Sequence, residues 1–577
     1  MTIKIIVATV LLCGTVYAAE ELKDSVCFKC HKEEKKAKFQ DGTEVSIFID
    51  KVRFAASVHG VKEQHCVGCH TDLNAANIAD HPEKVLKDPR SYSRSMAGVC
   101  VTCHKDEAAK FPDDVHSRVT TTQVLCTDCH GTHYMHSPNH PRAAVPQTCA
   151  KCHPDINAKY SQSVHGKALL GENNPDVPVC VDCHRAHSIS KAKTADFHLD
   201  SVNLCKRCHG DATKMKKYGL STDVMQTYLQ DFHGVSVSYS RKTGIAPSDI
   251  KATCIDCHGA HTIPRKDSAA ALTTRANVVK ACQKCHADAT EEFSSAWLSH
   301  YIPSPTHAPV VFAVQLFYRA FIPFMVIGLL VLIVLDLRHL RRSKGHIKPA
   351  VAGPDYVRFS LFRRVEHVLI MLSFTLLVVT GVPQEFSDQG WAEWMILAMG
   401  GIERLRIIHR FVGIAFAVVC AGHVLLNVVW LLQGRIFGDM MVTRKDFTDT
   451  IASIKLAMGL PAEEPKFGRY EFRQKFEYWG MLLGGGVMIA TGFILLWPMI
   501  FARVLPGQFI AAAKVAHSFE AVMALLVIVI WHLYCAVLRP TVFPLDKSIF
   551  TGKISHEKML EEHPLELERL EKAKAGA

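Results

Sequence analysis

The stretch Cys126-Thr127-Asp128-Cys129-His130 places two thiols three positions apart and an imidazole directly after the second thiol. The same Cys-x-x-Cys-His pattern occurs nine times in the first half of the chain, each time without variation. The eighteen cysteines of these motifs are Cys27, Cys30, Cys66, Cys69, Cys100, Cys103, Cys126, Cys129, Cys149, Cys152, Cys180, Cys183, Cys205, Cys208, Cys254, Cys257, Cys282 and Cys285. The nine motif histidines are His31, His70, His104, His130, His153, His184, His209, His258 and His286.

The spacing of this motif is typical of covalent haem attachment. Its two thiols form thioethers to a porphyrin, and the adjacent histidine becomes an axial ligand of the iron. Structural zinc would need a second ligand pair and no histidine after each second cysteine. A disulfide framework is excluded because only three of the 21 cysteines lie outside the motifs. The sequence therefore predicts nine c-type haems and an electron carrier.

The N-terminus predicts where these haems lie. Residues 1–19 resemble a secretory signal, with Lys4, an apolar run over Ile5–Leu12 and small residues at the end. Export agrees with the motif, because haem is attached to such thiols outside the cytoplasm. We therefore expect residues 20–307 to form a periplasmic nine-haem cytochrome c domain with little regular secondary structure. The polypeptide per haem is small, so the porphyrins should form much of its buried apolar surface.

Eight further histidines of this segment stand in recurring contexts that favour them as sixth iron ligands. Five follow Ser or Asp and then Val or Phe, and three follow a motif as Cys-His-x-x-His. The first group is His59, His116, His165, His198 and His233, and the second group is His133, His187 and His261. We expect His300 to supply the ninth ligand, with His307 as its rival. Two histidines on one iron give a lower potential than a His-Met pair.

Five apolar segments in the second half are each long enough to cross a hydrocarbon core. They run over residues 312–335, 365–383, 405–432, 477–500 and 511–537. Lysine and arginine concentrate in the loops 336–364 and 434–475, which the positive-inside rule places in the cytoplasm. The chain is therefore predicted to lie in a bacterial inner membrane, with its haem-motif domain in the periplasm and its C-terminus in the cytoplasm.

The predicted fold class is a multihaem cytochrome c domain joined to an all-α membrane domain. The membrane part divides into one anchor helix at 308–340 and a four-helix dihaem cytochrome b domain at 341–540. Residues 541–577 form the predicted cytoplasmic tail. The end of this tail, residues 555–577, is predicted as a solvated segment or as a short amphipathic helix.

Four histidines within the apolar segments pair by depth as ligands of two b-type haems, which helix bundles hold between facing helices. We name His409 and His517 the outer pair, and His367 and His532 the inner pair. His517 and His532 are 15 residues apart, or about 22 Å along a helix, which suits two haems stacked across a bilayer. His423 stays in reserve as a second candidate partner of His532, the alternative being a hydrogen-bonded core histidine.

At these residues the chain resembles a known family. The pieces that carry the resemblance are Arg364-x-x-His367 followed by Thr380-Gly381, Ile408-His409-Arg410-x-x-Gly413, Gly468-Arg469-Tyr470 running into Gln474-Lys475, and His517 with Trp531-His532-x-Tyr534. Residues 355–555 are similar to the dihaem cytochrome b subunits of respiratory formate dehydrogenases and nickel-iron hydrogenases. The resemblance implies haem ligands at the outer and inner pairs and a menaquinone site near the inner pair. The whole architecture resembles the CbcL-type inner-membrane multihaem cytochromes of metal-reducing bacteria.

These observations predict a quinol:cytochrome c-type oxidoreductase. Menaquinol would be oxidised at the membrane domain, and electrons would pass through two b-type and nine c-type haems to periplasmic c-type cytochromes, in anaerobic respiration or extracellular electron transfer. Two alternatives remain: a terminal reductase with one open-site c-type haem that acts on a small oxyanion, and a membrane anchor that connects a dehydrogenase to the quinone pool. No sequence feature indicates a nucleic-acid partner.

The expected quinone site lies at the end of the second basic loop. Where the resembling family commonly has Asn and Gly before Gln-Lys, this chain has Glu471 and Arg473. Glu471 is the candidate proton acceptor, and Gln474 or Lys475 is the candidate hydrogen-bond partner of a quinone oxygen. The alternative is that these charges face the cytoplasm and anchor a helix end.

Overall fold

The computed structural model describes residues 23–78, 87–119, 123–137, 141–243, 251–298, 300–343, 353–433 and 438–575. The expected signal sequence, residues 1–19, lies outside the described residues. The chain divides into two compact units, the first made of residues 1–198 with 258–268 and the second of residues 199–257 with 269–577. The second unit thus groups part of the haem-motif region with the membrane helices. The boundary at residue 307, where the periplasmic domain is expected to meet the first membrane helix, stays a prediction.

The haem-motif region consists of short helices joined by loops, because the cysteine motifs and their many Gly and Pro breaks leave room for few longer elements. Its helices are Asp24–His31, Lys51–Ala55, Val58–Val61, Cys66–Cys69, Pro89–Cys103, Lys105–Lys110, Phe111–Asp113, Val115–Arg118, Cys126–His130, Ala144–Ala150, Pro154–Gln162, Val164–Glu172, Cys180–His184, Ala195–His209, Ala212–Lys216, Asp223–Leu229, Phe232–Thr243, Cys254–His258, Arg275–Gln283 and Glu291–Ser295. The strands Lys36–Lys38 and Glu44–Ser46 form one small antiparallel sheet.

Five helices have the length and apolar composition needed to cross a membrane, as the sequence predicted. The first four are Pro309–Ser343, Leu361–Glu385, Ile402–Leu432 and Phe472–Leu496. The fifth runs as an α-helix over Gly507–Val527 and continues through two π-helical turns, Ile528–His532 and Tyr534–Leu538. Such turns widen a helix and occur often at functional sites, and the first of them ends at a predicted ligand. The remaining helices are Gly390–Ala398, Gly438–Met440, Arg444–Met458, Pro498–Phe501, Ser548–Thr551, His556–Glu562 and Pro564–Ala575.

The first membrane helix is joined to the fourth and fifth by buried polar contacts at two depths. Tyr318 donates a hydrogen bond to the Glu520 carboxylate of the fifth helix, at 2.8 Å. Near its other end, the Asp336 carboxylate accepts from Arg473 at 2.8 Å and from Arg539 at 2.9 Å. A buried carboxylate is stable only when it is paired in this way. These contacts fix the first membrane helix against the rest of the bundle.

The end of the chain is a packed helical hairpin rather than a solvated segment. Met559 and Leu567 are 2% and 4% exposed and pack against Tyr356, whose short strand Tyr356–Val357 pairs with Lys553–Ile554. Of the two interpretations left open by the sequence, the amphipathic helix describes residues 556–575. The charged residues between the leucines favour an exposed segment, but the apolar residues pack against Tyr356, which is about 200 residues away in sequence.

Candidate haem and quinone sites

Five of the nine cysteine motifs lie wholly within a helix, and two more have both cysteines within one. Residues at spacings of three and four share a helix face, so in the five helical motifs the two thiols and the imidazole lie on one face. In three motifs an aspartate just before the second cysteine caps the motif helix by accepting from the backbone N–H before the first cysteine. These contacts join Asp128 to Leu125 at 2.8 Å, Asp182 to Val179 at 2.7 Å and Asp256 to Thr253 at 2.6 Å.

In four of the five copies, the Ser or Asp before the predicted sixth ligand is a helix N-cap, whereas Asp196 lies in the first turn of the helix Ala195–His209. In three copies the capping oxygen accepts from the N–H of a glycine that follows the histidine. The bonds run to Ser57 from Gly60 at 3.0 Å, to Ser163 from Gly166 at 3.1 Å and to Asp231 from Gly234 at 2.8 Å. A Cβ on any of these glycines would collide with a carbonyl oxygen of the preceding turn. The glycine is thus part of the motif, and sequence reasoning missed it although it is visible in all three copies.

The two groups of predicted sixth ligands are physically linked. The residue before a histidine of the first group donates its backbone N–H to the carbonyl two residues after a histidine of the second group. These bonds join Val58 to Met135 at 2.9 Å, Val115 to Ile189 at 2.8 Å and Val164 to Ile263 at 2.8 Å. The first unit therefore contains one ligand-bearing module three times, a repeat that the sequence showed only as two separate patterns.

Six predicted sixth ligands lie opposite a motif histidine. The ring-centroid distances are His59–His104 6.1 Å, His70–His133 6.2 Å, His116–His153 6.3 Å, His130–His187 5.8 Å, His184–His261 5.9 Å and His233–His286 6.4 Å. A bond of about 2 Å from each imidazole to a shared iron, plus about 1.1 Å to each ring centre, gives about 6.2 Å. The six pairs therefore fit two ligands on one iron. For the other three motifs His165, His198 and His300 stay the sequence-based candidates.

Several predicted ligand rings have a hydrogen-bond partner on Nδ1. His31 Nδ1 donates to the Ile47 carbonyl at 2.7 Å, and His187 Nδ1 lies 2.6 Å from the Glu107 carboxylate. His116 Nδ1 lies 2.9 Å from Asp114. A partner on Nδ1 fixes the tautomer and the orientation of the ring, and leaves Nε2 for a metal.

The membrane helices bring the two histidines of each predicted pair face to face. The ring centroids are 6.3 Å apart for His409–His517 and 6.3 Å apart for His367–His532. Both distances fit one iron between two imidazoles by the same arithmetic. His532 Nδ1 contacts the Glu477 carboxylate of the fourth membrane helix. The bundle thus offers two bis-imidazole positions.

Two Thr-Gly dipeptides support the outer pair, each through a threonine hydroxyl beside one of the two imidazoles. The Thr380 hydroxyl lies 2.9 Å from His409 Nδ1, and the Thr491 hydroxyl lies 2.9 Å from His517 Nδ1. The next residue is a glycine in each case, and a Cβ on Gly381 would meet the His409 ring at 2.8 Å. The resemblance included Thr380-Gly381; the matching Thr491-Gly492 step was missed, although the repeated dipeptide is the signal that could have found it.

His423 lies outside the two pairs. Its Nδ1 is 2.8 Å from the Glu366 carboxylate, and its Nε2 is 2.9 Å from the Tyr478 hydroxyl and 2.8 Å from the Asn427 amide. The structure therefore pairs His532 with His367, and it places the reserve histidine in a hydrogen-bonded cluster between three membrane helices.

The three candidate quinone residues begin the fourth membrane helix but do not converge. The Glu471 carboxylate is held by Arg473 at 2.9 Å, and Gln474 accepts from the Glu471 backbone N–H at 3.4 Å as part of a capping box. Lys475, 8% exposed, points instead to Asp446 at 3.0 Å and to the Met441 carbonyl at 3.1 Å. Glu471 and Gln474 thus share one location, and Lys475 anchors the neighbouring loop.

Comparison with known proteins separates the two halves. Residues 358–552 match the family described as prokaryotic cytochrome b561, and residues 115–210 match the family described as cytochrome c3. The chain is 27% identical over 180 residues to the cytochrome b556(fdo) subunit of formate dehydrogenase from Escherichia coli (strain K12), which covers 31% of this chain and 78% of that subunit.

Two further relatives are similar to part of this chain. The nitrate-inducible formate dehydrogenase cytochrome b556(Fdn) subunit of Escherichia coli (strain K12) is 23% identical over 220 residues, 38% of this chain and 93% of that subunit. The formate dehydrogenase cytochrome b556 subunit of Haemophilus influenzae is 24% identical over 174 residues, 30% of this chain and 67% of that subunit. The chain therefore joins a cytochrome c3-type region to a prokaryotic cytochrome b561-type membrane domain, and it is a membrane cytochrome that transfers electrons through b-type and c-type haems.

Proposed function

We propose that this protein is a menaquinol:cytochrome c-type oxidoreductase of a bacterial inner membrane. Residues 1–19 are the exported leader, 20–307 the periplasmic nine-haem domain and 308–340 the anchor helix. Residues 341–540 hold two b-type haems, and 541–577 are cytoplasmic. Two electrons and two protons leave each menaquinol, and the electrons pass to periplasmic c-type cytochromes. The haems supply the one-electron chemistry, and the chain holds their irons and sets their potentials.

The observation that carries this proposal is the pair of bis-imidazole positions in the bundle. Each pair has the centroid spacing that one iron requires, and the two lie at the separation along the fifth helix that suits successive haems across a membrane. The same spacing recurs in six pairs of the haem-motif region, so all of these sites offer two imidazoles. Bis-imidazole sites favour relay of electrons over binding of a substrate at iron, which weighs against a terminal reductase.

The quinol site is proposed beside the inner pair, at the start of the fourth membrane helix. Glu471 caps this helix, and Glu477, which contacts His532, lies six residues on, about 9 Å along the axis. Glu471 accepts the quinol proton and Gln474 bonds the quinone oxygen. Because Arg473 holds the Glu471 carboxylate, quinol must displace that guanidinium before the proton moves. Lys475 serves the site by fixing the loop through Asp446.

Glu471→Gln tests the proton acceptor, because it keeps the shape and removes the base. Reduction of the b-type haems by a menaquinol analogue should slow severalfold or more, while reduction by dithionite stays intact. Glu464→Gln, an exposed change in the same loop, is the matched control and should behave as wild type. If Glu471→Gln and Glu464→Gln oxidise quinol equally fast, quinol enters elsewhere, for example beside the outer pair.

The haem content is tested separately. Acid-acetone extraction should remove only the non-covalent b-type haems and leave the c-type haems on the polypeptide. The predicted ligands imply nine c-type haems for every two b-type haems. A ratio far from nine to two would contradict the assignment of the two halves.

The relatives support one alternative function. They are subunits of formate dehydrogenases, so this chain could connect a dehydrogenase to the quinone pool, with electrons running toward quinone. Purification in mild detergent distinguishes the two functions. A stoichiometric dehydrogenase partner, with quinone reduced at its expense, would favour the alternative; a chain that purifies alone and oxidises quinol would exclude it.

A further inference from the structure

One part of the haem-motif region packs directly on the membrane bundle within the second compact unit. The helix Phe232–Thr243, which begins beside the ligand His233, lies against the start of the third membrane helix. The Arg406 guanidinium stacks 4.1 Å from the centroid of the Phe232 ring and donates to the Ser236 hydroxyl at 2.6 Å. Its side chain is 11% exposed, so this cation is held in one place. Arg406 is one helical turn before His409 of the outer pair.

An apolar core surrounds this contact. The buried side chains that form it are Val235, Tyr239, Ile396, Ile402 and Leu405. Ile396 and Leu405 are completely buried, and the Tyr239 hydroxyl donates to the Ser387 carbonyl at 2.8 Å. An ion pair between Lys242 and Glu393, at 2.7 Å, closes the rim. A core with a polar rim of this kind is the arrangement of a permanent interface.

The helix Glu291–Ser295, which follows the ninth cysteine motif, packs on the other helix that bears an outer ligand. Gly507, the first residue of the fifth membrane helix, donates its N–H to the Glu292 carboxylate at 2.8 Å. A Cβ on Gly507 would collide with the backbone of Glu292 and lie 2.8 Å from the Ala296 nitrogen, so the approach requires glycine. Phe293, on the same short helix as Glu292, packs against the motif histidine His286, with ring centroids 5.1 Å apart.

The two contacts hold one ligand pair between them. The ring centroids of His233 and His286 lie 6.4 Å apart. The Trp297 indole donates to Asp231 at 2.7 Å, which links the segment after His286 to the segment before His233. One ligand thus adjoins the helix of His409, and the other adjoins the helix of His517. This is the double attachment expected of a fixed electron junction, because tunnelling rates fall steeply with distance.

We infer that the ninth c-type site, formed by Cys282, Cys285, His286 and His233, is the acceptor of electrons from the outer pair, and that Arg406 is the positioning residue of this junction. The inference rests on the proposed function, in which electrons run outward from quinol. Each transfer moves one electron: the outer b-type site is oxidised and the ninth c-type site is reduced. No bond forms or breaks and no proton is required.

Arg406→Gln tests the positioning role. The change keeps a donor for Ser236 but removes the charge and the stacking on Phe232. In stopped-flow reduction by a menaquinol analogue, reduction of the b-type haems should keep its rate, and the following reduction of the c-type haems should slow severalfold. Arg404→Gln is the matched control, because it removes an exposed arginine two residues away. Equal c-type reduction rates in Arg406→Gln and Arg404→Gln would overturn the inference.

A second readout needs no quinol. The buried cation disfavours the oxidised, more positive state of nearby iron, so Arg406→Gln should lower the midpoint potentials of one b-type and one c-type haem in an equilibrium titration. Arg404→Gln should leave both unchanged, since an exposed charge is screened. Failure of quinol to reduce any b-type haem would refute the proposed function alone. Unchanged potentials in Arg406→Gln would refute the junction.

Marking single haems identifies the acceptor itself. His233→Met should give the ninth site His-Met ligation, with a raised potential and a distinct absorption band. His116→Met makes the same change at a site of the first unit. The marked haem should be reduced in the first resolved c-type phase in His233→Met and in a later phase in His116→Met. Reduction in the same phase in both variants, or the reverse order, would place the junction elsewhere.

Discussion

The packed tail should respond to acid through one histidine. His563 is 2% exposed, and its Nδ1 donates to the Gly468 carbonyl at 2.8 Å. Burial, aided by the nearby Arg358 cation, lowers the pKa of His563 from its ordinary 6.5 to about 4. Gly468 is three residues before Glu471, so the tail holds the segment that leads into the proposed quinol site.

The lowered pKa fixes the sign of the pH effect. The released tail takes up a proton on His563 below about pH 6.5, and the docked tail does so only near pH 4, so docking weakens as pH falls through this window. At pH 5 the loss is about 2 kcal/mol, or about 30-fold in the released population relative to neutral pH. Burial raises the pKa of the Glu562 carboxyl, which acts in the opposite sense.

Hydrogen exchange of residues 556–575, corrected for intrinsic rates, measures the released population. His563→Asn is the control, because its amide can still donate to Gly468 but does not titrate, and Glu562 is unchanged. The wild type should gain about 30-fold in released population between pH 7.5 and pH 5 relative to this variant. A difference below threefold would refute the reasoning from burial of His563.

Replacing Thr380 or Thr491 by Val removes a hydroxyl that orients one imidazole of the outer pair, and haem affinity there should fall about 10- to 100-fold, measured after purification as a b-to-c haem ratio that drops toward half of the wild-type value. Gly166→Ala forces a methyl into the preceding turn and should destabilise the haem-motif region by about 1–3 kcal/mol in a thermal melt, whereas Gly171→Ala in the same helix, with nothing within 4 Å of its Cβ, should be neutral or slightly stabilising. Asp336→Asn leaves two arginines without their carboxylate and should cost about 3 kcal/mol of stability in detergent.

Each of these predictions has an outcome that contradicts it. Unchanged haem ratios in both threonine variants would mean that ring orientation does not depend on the hydroxyls. Equal melts for Gly166→Ala and Gly171→Ala would exclude the steric argument. An unchanged melt for Asp336→Asn would show that the first membrane helix is held by other contacts.

The sequence by itself predicted which residues would bear chemistry, and it located the five helices that are long and apolar enough to cross a membrane. A cysteine motif is local: its spacing places thiols and imidazole on one helical turn, and no distant residue can change that reading. The spans followed from the length of apolar runs. Depth along a helix is also local, so position proposed His367 as the partner of His532 but left His423 open, and only the packing puts His367 opposite His532.

Only the tertiary structure decided which ligand faces which motif and where the two halves join. His133 lies opposite His70, from an earlier motif rather than its own, because the chain returns through backbone bonds such as Val58 to Met135. No sequence spacing encodes such a return. The stacking of Arg406 on Phe232 likewise joins positions remote in sequence, and it depends on apolar burial, which is set by the packed partner rather than by either segment alone.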